Sequence, residues 1–202
     1  DAKRSGASVI SINPLKETGM VRFKHPQNPL EVLGRGTSIS DEHIRVRVNG
    51  DQALFRGFSK TIISNNYEDE DFIGRHTYGY EKYRTEVLGS SLSEISEISG
   101  VEKSEIIRIG ELIGKSRSTI CCWAMGLTQH KNSVATIQEI TNMLLLGGHM
   151  GRDGAGVCPV RGHSNVQGDR TVGINHNPSM EFLESLNLEF GIEPVSKKGL
   201  DA

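Results

Sequence analysis

Apolar positions along the chain switch between two periods, and the switching predicts its elements. Ala7-Ser8-Val9-Ile10-Ser11-Ile12 is a short β-branched run ended by Asn13-Pro14, a buried strand delivered into a loop. Polar and apolar residues alternate over His43-Ile44-Arg45-Val46-Arg47-Val48, a half-exposed strand ended by Asn49-Gly50-Asp51. The spacing then becomes helical: Ala53, Leu54, Phe55, Phe58, Ile62 and Ile63 share a face as far as Asn65-Asn66, with Asp51 placed as the N-cap. Val101, Ile106, Ile109, Leu112 and Ile113 predict an amphipathic helix over 101–115, followed at once by a compact apolar strand over 118–123. After a turn at 125–130, Val134, Ile137, Thr141, Leu144 and Leu145 align in a further helix closed by Gly147-Gly148. A short helix is expected over 180–186, and Ser196-Lys197-Lys198-Gly199 are expected to fray.

Between these elements lie stretches without a period. Residues 15–40 carry Phe23, Leu30, Val32 and Leu33 at irregular spacing, a long excursion of the kind that is usually functional or mobile. Glu68-Asp69-Glu70-Asp71 and the tyrosines 78, 80 and 83 are taken as helix starts and solvated surface. Glycine recurs densely over 147–173, which suits irregular backbone approaching a ligand. The succession of strands and helices predicts an α/β fold: an open, mostly parallel sheet with flanking helices, like a dinucleotide-binding domain. It is expected over residues 1–175, including the 15–40 excursion, with a tail over 176–202.

Composition narrows the function. Lys+Arg 23 against Asp+Glu 25 leaves no basic excess for a nucleic-acid partner. No stretch approaches the roughly 18–20 apolar residues of a membrane span. Three cysteines make no disulfide framework and fit the cytoplasm; they are expected to be buried and structural. The adjacent Cys121 and Cys122 point to opposite faces of a strand, and the histidines show no H-E-x-x-H spacing, so no metal is expected to be held by this chain alone. Asp1-Ala2-Lys3-Arg4 lacks an initiator Met and signal-peptide character, and the chain is expected to be an internal piece of something longer.

Ligands of open α/β sheets bind where strands end and helices begin. Three such ends are polar here: Asn13-Pro14, Asn49-Gly50-Asp51, and Met125 through His130. Asp51 suits ribose hydroxyls or a guanine edge, and amides near Gly50 and Gly126 suit phosphate. Simple helix capping is the commoner use of an aspartate so placed, and both readings stand. No G-x-G-x-x-G or P-loop pattern follows a strand, which argues against a conventional dinucleotide or ATP site. In the stretch from Cys158 to Gly168, Arg161, His163, Asn165 and Gln167 lie among glycines, a set able to grip an anion or a heteroaromatic ring.

Three ordered motifs carry a family resemblance: Cys122-Trp123-Ala124-Met125-Gly126-Leu127-Thr128-Gln129-His130, the stretch from Leu144 to Gly156, and Pro159-Val160-Arg161-Gly162-His163-Ser164-Asn165-Val166-Gln167-Gly168. With Asn49-Gly50-Asp51-Gln52-Ala53-Leu54, they resemble formate dehydrogenase-like catalytic subunits of the bis-molybdopterin-guanine-dinucleotide oxidoreductases, within the dimethyl sulfoxide reductase superfamily. The resemblance implies part of a site for a pterin-guanine dinucleotide around molybdenum or tungsten. Guanine and phosphate contacts would fall on Ser11, Asn13, Gly50 and Asp51. Pterin-side contacts would fall on Met125, Gly126, Gln129, Gly162, His163, Asn165 and Gln167. Arg161 matches the arginine that orients the carboxylate of formate or a similar anion.

Asn13-Pro14-Leu15 replaces the family's Asp-Pro-Arg, His163 replaces a common Gln, and the 15–40 excursion is longer than usual, which implies a divergent branch. The family's iron–sulfur cysteine motif, its metal ligand and its last cofactor domain are outside this chain, so the chain alone is expected to be inactive. The remaining domains of the parent and an electron-transfer partner are the implied neighbours. A nucleotide-binding module without redox chemistry, and a structural subunit that has lost its cofactor, are the alternatives.

Overall fold

The computed structural model describes residues 2–195 and 197–199. The chain divides into two compact units, Asp1–Pro159 and Val160–Ala202.

In the first unit, β1 (Ile10–Ile12) and β4 (Glu42–Ile44) pair in parallel, with Ser11 opposite His43. The Asn13 N–H extends the ladder to the Ile44 carbonyl at 3.1 Å. The excursion between these strands is more regular than its composition suggests. It contains α1 (Thr18–Val21), β2 (Arg22–Phe23), α2 (Pro29–Leu33) and β3 (Thr37–Ser38), with β2 antiparallel to β3. Its apolar side chains were uninformative because they point outward: Leu30 is 83% and Leu33 88% exposed. What builds α2 is local, since the Asn28 side chain accepts from the Leu30 N–H and Pro29 opens the first turn.

The strand expected over 43–48 ends at Ile44, because the Arg47 N–H turns away to the Ser99 carbonyl at 2.8 Å. Ile44 and Val46 are nevertheless buried and Arg45 and Arg47 exposed, as the alternation requires. Asn49 adopts a left-handed φ of 68° and hands the chain to Gly50. Only glycine fits there, since a Cβ would lie 2.9 Å from the Ser99 Cα.

Helix α3 (Asp51–Ser64) then runs through the core, burying Leu54, Phe55, Phe58, Ile62 and Ile63. Around it pack α5 (Tyr80–Gly89), α6 (Leu92–Ser99), α7 (Lys103–Gly114) and α9 (Ser133–Leu146). Helix α4 (Glu70–His76) is capped by Asp69, which accepts from the Phe72 N–H at 2.9 Å. The tyrosine stretch is not all solvated surface. Tyr78 is fully exposed, but the Tyr83 hydroxyl reaches the buried Glu139 carboxylate at 2.9 Å and Ser59 at 3.0 Å.

Helix α7 buries Ile106 and Ile109 as expected, while Leu112 lies off the face. Helix α9 departs further. Its buried face is Thr136, Glu139, Ile140, Met143, Leu144 and Leu146, and Val134 is 69% exposed. The face is turned because Glu139 belongs to it: Arg56 pairs with the carboxylate, its Nε at 2.9 Å, which permits a charge that hydrophobic periodicity discards. Gly148, at φ 62°, closes α9, with the His149 N–H donating to the Leu144 carbonyl.

Strand β5 (Ile120–Trp123) leads into the short helix α8 (Met125–Thr128), and β6 (Gly156–Pro159) pairs with β5 in parallel. Strand β6 lies inside the glycine-rich stretch expected to be irregular. Cys122 stands opposite Cys158 in this pair. Both are exposed and Cys121 is half-buried, so the cysteines are not all buried as expected; the strand's faces alternate, and one of them is open. Burial pushes the Cys121 thiol up to about 12. Among the described residues the strands pair two by two rather than in one open sheet, and the architecture is mixed α/β with parallel pairs and flanking helices.

The second unit holds α10 (Val166–Thr171) and α11 (Met180–Phe190). Helix α11 outlasts the expected 180–186 because Ser179 caps one end and Gly191, at φ 62°, the other. Of the expected frayed stretch, Ser196 lies outside the described residues, and the Gly199 N–H is tied to the His176 carbonyl at 2.7 Å.

Two predictions follow from packing and burial. A Cβ at Gly110 would lie 2.6 Å from the Thr61 Cβ, whereas one at Gly74 meets nothing within 4 Å. Chemical denaturation of Gly110→Ala is expected to show a loss of about 1–3 kcal/mol from overpacking, and Gly74→Ala a gain of up to about 1 kcal/mol. His149 is 1% exposed with both ring nitrogens unpartnered, and burial, aided by Arg152, holds its pKa below the ordinary 6.5. Folding therefore favours the neutral ring, so stability is present above pH 6.5 and is lost as pH falls below it. Urea midpoints between pH 7.5 and 5 should fall for the parent chain and fall less for His149→Gln.

Candidate functional site

Each functional candidate of the first unit lies where a parallel strand ends or a helix begins. Ser11 is buried in β1, and Asn13 is half-buried one residue beyond it. Just past β1 and β4, Pro14, Leu15, Arg45, Val46, Arg47, Val48 and Gly100 line an open cleft of about 440 Å³. Arg47 is tied to the Glu97 carbonyl at 2.5 Å, while Arg45 forms no ion pair among the described residues. The cleft thus has an apolar floor beneath two guanidinium-bearing residues, suited to an anionic ligand.

Gly50 is the residue before α3, and Asp51 is the helix's first residue rather than its N-cap. No side chain caps this helix end. Burial raises the Asp51 carboxyl above the usual carboxylate range, opposed by its own backbone N–H and by the nearby His130. As the first residue of α3, Asp51 also places its charge at the positive end of the helix.

Beyond β5, Met125, Gly126 and Gln129 are exposed and His130 half-buried. This loop is joined to the start of α3 by a bond the sequence did not suggest: the Asn132 Nδ2 donates to the Gln52 Oε1 at 3.1 Å. The Asn132 Oδ1 is buried without a partner. Asn132 sits at a helix start, a common place for asparagine, but nothing local signals a partner 80 positions away. The structure therefore brings Asp51, Gln52, His130 and Asn132 into one polar corner.

In the second unit, Arg161, Gly162, His163, Asn165 and Gln167 are all exposed. The Arg161 guanidinium reaches the Gln167 Oε1 at 3.4 Å, bringing two of the five together. Asn165 takes a left-handed φ of 59° before α10, and its amide donates to the Asp169 carboxylate at 3.3 Å. Helix α10 is itself a departure from the loop expected here. Among the described residues no three His, Cys, Asp or Glu side chains gather as metal ligands, and no helix is long and apolar enough to cross a membrane.

Comparison with known proteins places this geometry. An uncharacterised oxidoreductase of Mycobacterium tuberculosis is 44% identical over 99% of this chain and 26% of its own length. Protein YdeP of Escherichia coli is 40% identical over 97% of this chain and 27% of its own length. Formate dehydrogenase H of Escherichia coli is 34% identical over 83% of this chain and 21% of its own. The chain thus spans about a quarter of the length of the relatives it matches best here. Acetylene hydratase from Pelobacter acetylenicus shares the fold, with a TM-score of 0.59 at 22% identity over 76% of this chain and 19% of that one. The molybdopterin oxidoreductase family model matches residues 3–196, and the chain belongs to that family.

Proposed function

We propose that this chain supplies part of the pterin-guanine-dinucleotide site of a larger molybdopterin-dependent oxidoreductase acting on formate or a similar small anion. The observation that carries the proposal is the polar corner at the start of α3, where Asp51 and Gln52 stand with His130 and Asn132 and the Gln52 and Asn132 side chains meet at 3.1 Å. Its surroundings fit the group. A buried acceptor, the Asn132 Oδ1, lacks a donor, and two arginines line the cleft at the neighbouring strand ends. Guanine and ribose are rich in N–H and O–H donors, and pyrophosphate needs cations and amides.

In this reading Ser11, Asn13, Gly50 and Asp51 hold the guanosine and phosphates. Met125, Gly126 and Gln129 are the pterin-side candidates of the first unit, and Gly162, His163, Asn165 and Gln167 are those of the second, each set taken by itself. When bound, the pterin with molybdenum or tungsten supplies the two-electron chemistry. The chain's own part is binding, orientation and charge. Arg161 holds a permanent positive charge in a planar fork, which suits a substrate carboxylate, and Gln167 restrains that fork. Remaining domains of the parent, an iron–sulfur cluster outside this chain and an electron-accepting partner complete the enzyme, which we place in the cytoplasm. The domain extends over 1–175 and the tail over 176–202 leads onward; alone, the chain has no turnover.

Two substitutions in the full-length parent test the proposal. Asp51→Ala should weaken cofactor retention by about 1.5–3 kcal/mol, or about 10- to 100-fold, measured as pterin and metal per protein. Loss of stability by about 1 kcal/mol with full cofactor content would instead make Asp51 a cap. Arg161→Ala should lower kcat/KM for formate, or for the anion the parent consumes, by about 10²-fold or more with cofactor content unchanged. Unaltered turnover would assign Arg161 to the surface and favour a structural role for this chain.

A further inference from the structure

The polar corner at the start of α3 contains a bond that ligand contacts alone do not explain. Asn132 and Gln52 are 80 positions apart, yet their side-chain amides meet at 3.1 Å in a partly buried setting. Gln52 directly follows Asp51, while Asn132 lies three residues after Gln129 and two after His130. One hydrogen bond between side-chain amides therefore ties together two segments that the proposed site assigns to different ends of one ligand. The bond is not a helix cap, since no side chain caps α9 at its start. Nor is it filler: the Asn132 Oδ1 is buried with no partner, a state that protein interiors avoid unless something else uses the atom.

We propose that Asn132 is a positioning residue, holding the α3 start that carries Asp51 against the loop that carries Gln129. The inference rests on the pterin-dinucleotide reading above. Without the bond, Asp51 and Gln129 would still be present, but the ligand would have to order the two segments on binding, and its retention would fall accordingly. The free Oδ1 is then the acceptor left for a donor on the ligand.

The test uses the purified full-length parent and reads pterin and metal content, the rate of cofactor loss on dilution, and the thermal midpoint of cofactor-free protein. Asn132→Ala and Gln52→Leu should each speed cofactor loss about tenfold while leaving the cofactor-free midpoint in place. The double variant should be no worse than Asn132→Ala alone, which removes both the shared hydrogen bond and the free Oδ1. Gln52→Glu keeps an acceptor for the Asn132 Nδ2 and should hold retention near the wild-type value where Gln52→Leu does not. Wild-type parent devoid of pterin would overturn the dinucleotide reading and this inference together. Loaded wild-type parent with additive losses, no losses, or no rescue by Gln52→Glu would overturn the positioning role alone. A midpoint that falls in step with retention would do the same, since it would make the bond merely structural.

Discussion

The close approach of α3 to α7 governs much of the first unit. Gly57 lies against Ile106, where an added Cβ would sit 2.7 Å from a methyl, and Gly110 lies against Thr61 at the same interface. Two glycines facing two branched side chains let the helices interlock, and the buried row of Leu54, Phe58 and Ile62 follows. Because α3 begins at the candidate ligand corner, its packing also determines where Asp51 stands.

A second constraint is electrostatic. Arg56 on α3, Glu139 on α9 and Tyr83 on α5 form one network around a nearly buried carboxylate. Burial and the Glu139 charge hold the Tyr83 hydroxyl in its neutral, donating form. With each polar atom partnered, the network lets three helices meet through polar residues and sets the rotation of α9. That rotation in turn sets where the loop ahead of α9 meets α3, so core and ligand corner are linked through one helix.

The contrast between paired and unpaired polar groups is the basis of the functional reading. Glu139 has its partners; the Asp51 carboxyl is desolvated and not used as a cap, and the Asn132 Oδ1 has no donor. Buried polar groups are satisfied almost everywhere in folded proteins, so the unpartnered Asn132 Oδ1 is the feature of this corner that the proposed ligand would explain. Membership of the molybdopterin oxidoreductase family is the ground on which the proposal names a pterin dinucleotide as that ligand.

Local pattern was sufficient for much of the chain. The β-branched run at 10–12, the helical spacing from Leu54 to Ile63 and the glycines that close α9 are decided within a few residues, and the three ordered motifs carried the family. Periodicity was blind where partners lie far away in sequence. It did not place Glu139 inside, because its counter-charge is 83 positions distant, nor find β6, whose strand character comes from pairing with β5. It made Asp51 a cap, although the helix begins one residue earlier, and it gave no hint of the bond between Gln52 and Asn132. Sequence by itself determined the strongly periodic elements and the family, since these depend on side-chain period and motif. Tertiary structure alone decided which polar groups are paired and which are not, because desolvation and long-range hydrogen bonds exist only once the chain has packed.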